Sequence, residues 1–353
     1  MTASKRIGIL TFHRCINYGS YWQARCLAEG LRARGHDAVL LDHHSSRINI
    51  AEWRCALRPI PEAPPKAHRS AYGEKARQFF AAFEGLPLSR PFPLLAPEES
   101  EPFDVVLVGS DEVWNLRHPW YGGKGVFYGD GLNAGRLASY AASFGNQSAS
   151  EGLDSYWSER LERFDAISVR DSNSQSLVAE ATGRLPAMVL DPCLQFGHLI
   201  PKTPLWTDGK PYAVVYGHGF PDWLTSHIVH WARGEGVRLV SIGYDNPWAD
   251  EQRIDAGPME FAAMMAGSRG VVTNFFHGCV FALVNGKPFV TAPSAYRFNK
   301  VRDLVAALGA ERHMVSEATE IEAIMNDILD PRIAHAIATM RVQSDSYLDH
   351  ALG

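Results

Sequence analysis

The sequence has few cysteines and no cysteine motif. Its 353 residues contain five cysteines, an odd number, widely spaced and without a Cys-x-x-Cys pair. This pattern predicts reduced thiols in a cytoplasmic protein rather than a disulfide framework, and it offers no spacing typical of a zinc site. The cysteines are Cys15, Cys26, Cys55, Cys193 and Cys279.

The chain also lacks an excess of positive charge and a long apolar run. Its 34 Lys and Arg residues stand against 39 Asp and Glu residues, which gives a net charge of -5. Because nucleic-acid binding depends on neutralising phosphates, nucleic acid is not an expected partner. No signal peptide and no transmembrane helix are predicted, since a short polar start leads directly into a strand.

Apolar runs of strand length alternate with helical patterns along two stretches of the chain. This alternation predicts an α/β protein with parallel sheets, organised as two Rossmann-like domains that face a cleft. We predict an N-terminal domain at residues 1–200 and a C-terminal domain at 201–330. A C-terminal helix at 331–353 is expected to pack back on the fold.

One strand–turn–helix segment stands out for its polar tip. Val271, Val272 and Thr273 form a buried strand, and a helix is predicted from Val280 to Asn285, with His277 between them. Open α/β sheets present reactive side chains at this edge, and an imidazole that titrates near neutrality suits acid–base chemistry. Spacing alone leaves a structural histidine at a helix start as the alternative.

The turn after the first strand has two interpretations. Asn17, Gly19 and Ser20 precede a predicted helix at 21–34, so free backbone N–H groups at its start could hold an anion. Alternatively, Gly19 makes the turn and Ser20 caps the helix. His13 ends the preceding strand, close to the expected cleft.

Polar residues also follow two further predicted strands. Asp111 and Trp114 come just after the strand 104–108, where a carboxylate and an aromatic ring would contact a ligand, and Trp114 is placed to stack on a sugar. The alternative is that Ser110 or Asp111 caps a helix. Arg170 could fork onto a carboxylate or phosphate, or simply pair with Asp171 while Asp171 caps the next helix.

Residues 43–97 are rich in proline and contain one amphipathic helix, predicted at 74–83. Such long connections are often functional. We expect this segment to act as a substrate lid that selects the acceptor, or to be a surface excursion.

Taken together, the motifs resemble the polysaccharide pyruvyl transferase family in content and order. The resemblance extends to about residue 310. The motifs are Thr11-Phe12-His13, Asn17-Tyr18-Gly19, Gly109-Ser110-Asp111-Glu112-Val113-Trp114-Asn115, Ser168-Val169-Arg170-Asp171, Leu190-Asp191-Pro192, Phe276-His277-Gly278 and Asn285-Gly286-Lys287-Pro288-Phe289.

The resemblance implies a GT-B-like architecture and a transferase of polysaccharide biosynthesis. The best known members move a pyruvyl group from phosphoenolpyruvate (PEP) to a sugar and form a ketal. PEP would be a co-substrate, with no cofactor and no metal. The expected partners are a small-molecule donor and a sugar or glycolipid acceptor, which allows peripheral contact with a membrane.

The resemblance also implies roles for individual residues. His277 would be the general acid/base, with Asp111 as a second catalytic group. The donor-binding residues would be Arg170, Asn274, Gly278, Arg297 and Lys300, with Arg302 in the same segment, and the acceptor-binding residues His13, Asn17, Tyr18, Gly19 and Trp114.

This chain departs from the family pattern at one position. Family members often have an arginine two residues before the histidine, where this chain has Phe275. Two alternatives therefore accompany the pyruvyl transferase hypothesis. One is a GT-B-type glycosyltransferase with a nucleotide-sugar donor, for which Glu260 is the candidate ribose ligand. The other is a repurposed member acting on a non-polysaccharide substrate.

Overall fold

The computed structural model describes residues 4–60, 67–206, 209–317 and 319–353. Residues 61–66 of the proline-rich segment therefore lie outside the described residues. The chain divides into two compact units. The first unit comprises residues up to Glu52, Gly85–Leu199 and Ile337–Gly353; the second comprises Trp53–Glu84 and Ile200–Ala336.

The strands are short and mostly apolar, and they occur in both halves of the chain. They are β1 (Arg6–Leu10), β2 (Asp37–Leu40), β3 (His43–His44), β4 (Phe92–Pro93), β5 (Phe103–Val108), β6 (Ala134–Ser139), β7 (Ser168–Val169), β8 (Ala187–Met188), β9 (Tyr212–Tyr216), β10 (Arg238–Ile242), β11 (Glu251–Arg253), β12 (Gly270–Thr273) and β13 (Phe289–Thr291).

Helices connect most of these strands, as parallel pairing requires. They are α1 (Tyr18–Ala33), α2 (Ser46–Ala56), α3 (Arg69–Phe83), α4 (Ser155–Glu162), α5 (Ser172–Thr182), α6 (Pro192–Gln195), α7 (Asp222–Glu235), α8 (Pro258–Gly267), α9 (Phe276–Val284), α10 (Phe298–Leu308), α11 (Ile321–Asn326) and α12 (Pro331–Leu352). In the described part of the chain, no helix combines the length and the apolarity needed to span a bilayer.

The first unit is built on a parallel sheet with strand order β2-β1-β5-β6. Ile7 pairs with Val105, and Leu10 with Val108, so β1 and β5 lie side by side in the centre. These central strands are apolar on both faces because both faces are covered. Parallel pairing brings the carboxyl ends of the strands to one edge, where the polar turns after β1 and β5 lie.

The second unit contains a parallel sheet with strand order β11-β10-β9-β12-β13. The central strand β9, Tyr212–Tyr216, is buried along its whole length, and Val271 pairs with Phe289 at the β12–β13 edge. The predicted α/β class with parallel sheets is therefore confirmed. The turns after β9, β10 and β12 share the carboxyl edge.

The residue boundaries of the two units differ from the predicted domain ranges 1–200, 201–330 and 331–353. Contacts made by two helices account for the difference. In the second unit, Lys75 of α3 donates from Nζ to the carbonyl of Gly243 over 3.1 Å, which ties α3 to the end of β10. In the first unit, Tyr347 of α12 donates to the carbonyl of Ser139 over 2.6 Å. Helix α12 thus packs back on the first sheet.

Three helices begin earlier than the sequence pattern suggested. Helix α1 starts at Tyr18 rather than Tyr21, α3 at Arg69 rather than Glu74, and α9 at Phe276 rather than Val280. As a result His277 is the second residue of α9 and lies within its first turn.

Candidate active site

Four polar side chains meet at the carboxyl edge of the first sheet: Ser20, Asp111, Arg170 and Asp191, which we name the Asp111 cluster. The Ser20 hydroxyl donates to Oδ2 of Asp111 over 2.7 Å, and the N–H of Glu112 donates to Oδ1 over 2.9 Å. Asp111 has a backbone φ of 79°, in the left-handed region. Residues held in such sparsely populated conformations cluster at functional sites.

Arg170 closes the Asp111 cluster by bridging two carboxylates. Its Nη2 donates to Oδ1 of Asp111 over 3.2 Å, and its Nη1 donates to Oδ2 of Asp191 over 2.9 Å. Burial lowers the pKa of the guanidinium, but the two carboxylates outweigh this effect and raise that pKa above its usual value. Asp171 separately caps α5 by accepting the N–H of Ser174 over 2.7 Å.

Asn17, rather than Ser20, caps α1. Its Oδ1 accepts the N–H groups of Gly19 over 2.8 Å and of Ser20 over 3.2 Å. Because these N–H groups are engaged, the prediction that they hold an anion is wrong, and so is the prediction that Ser20 is the cap. The hydroxyl of Ser20 is directed to Asp111 instead, a partnership that sequence spacing did not reveal.

No helix starts at Ser110 or Asp111 in this described part of the chain, so the capping alternative for these residues is wrong. Ser110 lies inside the fold, where its hydroxyl donates to the carbonyl of Ala141 over 3.1 Å. Its carbonyl accepts from Thr11 over 2.8 Å, which ties the turn after β5 to the end of β1. The role of these bonds is to hold the Asp111 cluster in place.

A second polar cluster, the Asp42 cluster, lies where β1 and β2 end and consists of His13, Arg14, Asp42 and His43. Arg14 binds both carboxylate oxygens of Asp42 over 2.7 and 2.8 Å, and His13 Nε2 lies 3.0 Å from Oδ1. The sequence indicated only His13 as an acceptor ligand. The side chain of His13 is fully buried against Asp42. Its predicted role in acceptor binding would therefore be indirect, by holding the turn after β1 in position.

The Asp42 cluster shifts three pKa values, and the hydrogen bond to Asp42 raises the pKa of Arg14 above its usual value. Burial acts to raise the pKa of Asp42, but the hydrogen bonds and charges of His13 and Arg14 outweigh it and hold that pKa well below the usual range. Burial, and then the charge of His13, lower the pKa of His43 to about 3. His43 is therefore neutral, with its Nε2 at 2.9 Å from the carbonyl of Thr11.

Trp114 lies in the core of the first unit, which corrects the prediction that it stacks on a sugar. Its side chain is fully buried, and its Nε1 donates to the carbonyl of Phe127 over 2.9 Å. The rings of Phe144 and Phe164 pack against it at centroid distances of 5.4 and 5.6 Å. Tyr18 is also buried, and its acceptor role, like those of Asn17 and Gly19, stays a prediction.

In the second unit, the turn between β12 and α9 positions His277. Thr273 fixes this turn: its Oγ1 donates to the carbonyl of Tyr216 over 2.6 Å and accepts the N–H of Phe275 over 3.1 Å. A Cβ added to Gly278 would overlap the Thr273 side chain. Glycine at 278 therefore permits the close approach of α9 to β12, a packing reason that holds whether or not Gly278 binds the donor.

Asn274 connects the end of β12 to the turn after β9. Its Nδ2 donates to the carbonyl of His218 over 2.7 Å. Gly217 has a φ of 146°, and a Cβ there would overlap Oδ1 of Asn274, so the turn requires glycine. The donor-binding role of Asn274 stays a prediction, but its side chain clearly holds two strand ends together.

Phe275 is the centre of an aromatic group that carries a cation. The rings of Tyr216, His218 and Tyr244 surround it at centroid distances of 5.0, 5.6 and 5.2 Å. The guanidinium carbon of Arg297 lies 4.3 Å from the centroid of Phe275. Packing on a ring face leaves the in-plane N–H groups of a guanidinium available for an anion.

Arg297 differs in its pairing from the next arginine along the chain. Arg297 donates from Nη1 to Oγ of Ser294 over 3.2 Å, and within the described ranges no carboxylate forms an ion pair with it. Arg302 of α10, in contrast, binds Oδ1 of Asp303 from Nε and Nη2 over 2.9 and 2.8 Å. The structure thus distinguishes the pairing of Arg297 from that of Arg302, whereas the sequence alone gives no difference between the two arginines.

Lys300 lies three residues after Arg297, in the first turn of α10. Its Nζ is 5.7 Å from the ring centroid of Tyr296, a residue with an exposed side chain. This position keeps the ammonium near the segment that carries Arg297. Its assignment to the donor stays a prediction.

Glu260, the candidate ribose ligand of a nucleotide-sugar enzyme, caps α8. Its Oε2 accepts the N–H of Gly257 over 3.1 Å, as in a capping box. Its Oε1 accepts from Nη2 of Arg253 over 3.2 Å. Both carboxylate oxygens are thus engaged within the second unit, which removes the residue on which the nucleotide-sugar alternative depended.

Each unit therefore has the features of an α/β protein that binds small ligands at the carboxyl ends of its parallel strands. The family model for polysaccharide pyruvyl transferase matches residues 17–293, and the matched range includes Asp111, Arg170 and His277. The chain belongs to the polysaccharide pyruvyl transferase family. It is a transferase of a family whose description is polysaccharide pyruvyl transferase, as the motifs suggested.

Solved structures of other α/β enzymes are similar over most of the chain. A glycosyltransferase from Streptomyces sp. SF2575, solved with thymidine diphosphate, is 13% identical with a TM-score of 0.47, over 97% of this chain and 96% of that chain. The UDP-GlcNAc 2-epimerase from Methanocaldococcus jannaschii is 10% identical with a TM-score of 0.48, over 92% and 93%. No curated protein matches the sequence. The family assignment rests on the family model.

Proposed function

We propose that the protein transfers the pyruvyl group of PEP to a sugar of a glycan or glycolipid precursor and forms a cyclic ketal. The observation that carries this proposal is the cation beside the histidine. Arg297 packs on Phe275, two residues before His277, and no carboxylate of the described chain pairs with it. An available guanidinium that packs against the turn carrying the histidine suits an anionic donor.

The donor needs cations because PEP carries a phosphate and a carboxylate. Arg297 and Lys300 would supply two of them from the segment after β13. The amino end of α9, which includes Gly278 and follows Asn274, would add the positive end of a helix dipole. Arg170 is held between two carboxylates, so we assign it the positioning of Asp111 in preference to direct contact with PEP.

The chemistry requires one proton delivered and two removed. His277 would donate a proton to the methylene carbon of PEP while the first sugar hydroxyl passes its own proton to Asp111 and attacks the neighbouring carbon. Exchange with solvent would then restore the protonated His277 and the ionised Asp111. The second hydroxyl then attacks the same carbon, and the bond from that carbon to the phosphate oxygen breaks. The products are the ketal and inorganic phosphate, and the proton of the second hydroxyl leaves with the phosphate.

Asp111 would orient an acceptor hydroxyl and serve as the second catalytic group. Three donors, from Ser20, Glu112 and Arg170, hold its carboxylate in one orientation. A carboxylate fixed in this way can accept a hydrogen bond from an acceptor hydroxyl in a defined direction. The turn from His13 to Gly19, which the Asp42 cluster and the Asn17 cap hold in place, would form the rest of the acceptor side.

The proposal includes a cytoplasmic location and no cofactor besides PEP as a co-substrate. All five cysteines lie among the described residues, and none forms a disulfide, which supports a reducing compartment. A repurposed member acting on a non-polysaccharide substrate remains the second candidate, because the family's arginine position is occupied by Phe275.

A thermal-shift experiment with PEP, UDP and pyruvate distinguishes the donors. Binding to the folded state raises the melting temperature by mass action. We expect PEP to raise it and UDP to leave it unchanged. Stabilisation by UDP alone would support a nucleotide-sugar enzyme, and stabilisation by neither PEP nor UDP would support a repurposed member.

A further inference from the structure

We propose that the second unit carries a docking surface for an anionic lipid bilayer. The surface lies on α2 and α3, and we name it the basic aromatic surface: Trp53, Arg54, Arg77 and Phe80. The proposal rests on the exposure and charge of these residues and is independent of the donor chemistry.

Two large aromatic side chains form the apolar part of this surface. Trp53 is 45% exposed and Phe80 is 40% exposed, and their rings contact each other edge to face at a centroid distance of 5.6 Å. An isolated exposed apolar side chain is ordinary, but an exposed pair in mutual contact forms a continuous patch. Tryptophan and phenylalanine are the side chains that helices lying in a bilayer interface bury.

Arginine side chains accompany the aromatic pair. Residues 53–84 contain six Lys and Arg and three Asp and Glu, although one of the six, Lys75, is buried against the carbonyl of Gly243. Arg54 is exposed beside Trp53, and within the described residues it forms no ion pair. Arg77 lies three residues before Phe80, on the same face of α3, and pairs with Glu74 on that helix.

The charge complementarity favours a bilayer over a second copy of the chain. Two copies that met through this surface in a symmetric dimer would bring like charges together. An anionic bilayer attracts the same arginines, while the aromatic rings enter the headgroup region. The segment would lie on the membrane surface rather than span the bilayer, because α3 has only 15 residues and carries charged side chains.

The experiment measures co-flotation of the full chain with vesicles. The vesicles contain either phosphatidylcholine alone or equal parts of phosphatidylcholine and phosphatidylglycerol. The variants are Trp53→Ala/Phe80→Ala and Arg54→Ala/Arg77→Ala. The matched control is Tyr156→Ala, because Tyr156 of α4 is a similarly exposed aromatic residue with an arginine, Arg160, packed on its ring.

We expect the wild type and the control to float with the anionic vesicles and not with the neutral ones. The arginine double variant should bind the anionic vesicles roughly 30-fold more weakly, in line with the loss of two cations near an anionic surface. The aromatic double variant should also bind them more weakly, because it loses the side chains that enter the headgroup region. Binding should also weaken as salt is raised. Circular dichroism verifies that the variants remain folded.

Two results would overturn the proposal. One is a wild type that does not float with anionic vesicles, or variants that float as well as it does. The other is a wild-type dimer, seen by sedimentation, that the aromatic variant converts to a monomer, because a second copy would then cover the surface. Neither result bears on whether PEP is the donor.

Discussion

At the scale of single residues, position 275, two residues before His277, shows how another part of the chain can supply a positive charge. The chain has Phe275 where related proteins often have arginine. The ring of Phe275 is, however, the platform on which Arg297 packs, 22 residues further along. The positive charge is thus present at the turn that carries His277, although it comes from the segment after β13.

Replacement of His277 by glutamine should separate binding from chemistry. We expect His277→Gln to lower kcat by roughly 100- to 10,000-fold, the range for a general acid/base, because glutamine cannot transfer a proton. The dissociation constant of PEP should change by less than about threefold. The measurement is phosphate release from PEP with a panel of p-nitrophenyl hexosides as acceptors. Turnover equal to that of the wild type would refute the role of His277.

At the scale of elements, the sequence predicts the types and order of the helices and strands better than the hydrogen-bond partners of individual side chains. Apolar runs identified the strands at both sheets because parallel strands buried on both faces leave a continuous signal. The sequence pattern predicts the start of α9 four residues late, because Phe276 to Cys279 carry no helix-specific pattern. The sequence predicts Arg170 as a site residue, but its two carboxylate partners are 59 and 21 residues away in sequence.

Such partnerships lie beyond sequence reasoning because only the fold brings distant turns together. The bond from Ser20 to Asp111 spans 91 residues and arises from the shared carboxyl edge of β1 and β5. The burial of Trp114 likewise depends on the fold. The motif that contains Trp114 indicates a ligand site, and only the packing of the first unit shows that the ring is enclosed. The available Arg297 and the paired Arg302 were likewise indistinguishable before the structure.

Two glycines in helices provide a test of the contact between α9 and β12. Gly278→Ala should destabilise the fold by about 1–3 kcal/mol, because a Cβ at 278 meets Thr273 in a packed core. Gly234→Ala is the matched control in α7: its site has open space, so alanine should be neutral or stabilising by about 0.4–1 kcal/mol. Scanning calorimetry reports both effects. Equal melting temperatures for the two variants would contradict the packing role of Gly278.

The Asp42 cluster predicts a pH dependence of stability. The folded-state pKa of Asp42 is depressed, so its contribution is present above the unfolded value of about 4 and is lost progressively as the pH falls through the folded value. Asp42→Asn should therefore lower the melting temperature at pH 7, and the difference from the wild type should narrow below about pH 4.

The control for this pH dependence is Asp349→Asn. Asp349 also pairs with an arginine, Arg34, but its side chain is largely exposed, and such pairs contribute little. Its melting temperature should match the wild type at pH 7. A difference between Asp42→Asn and the wild type that stays constant from pH 7 to pH 3 would show that ionisation of Asp42 is not involved.

At the scale of the whole molecule, the chain consists of two units, each with a parallel sheet and polar side chains at its carboxyl edge. The first unit holds a carboxylate, Asp111, in a fixed orientation, which suits a hydroxylated acceptor. The second holds His277 and an available guanidinium, which suits an anionic donor. Residues 53–84 belong to the second unit, so the segment expected to select the acceptor also contributes to the unit with His277.

The central claim is that Arg297 binds PEP at the turn that carries His277, and titration calorimetry of the full chain with PEP tests it most directly. We compare the wild type, Arg297→Ala and the matched control Arg302→Ala, whose arginine is already paired with Asp303. We expect the wild type and Arg302→Ala to bind PEP with similar dissociation constants, and Arg297→Ala to bind roughly 10- to 100-fold more weakly, the cost of one charge-assisted contact. Equal PEP affinities for Arg297→Ala and the wild type would contradict the account, as would a wild type that binds UDP and not PEP.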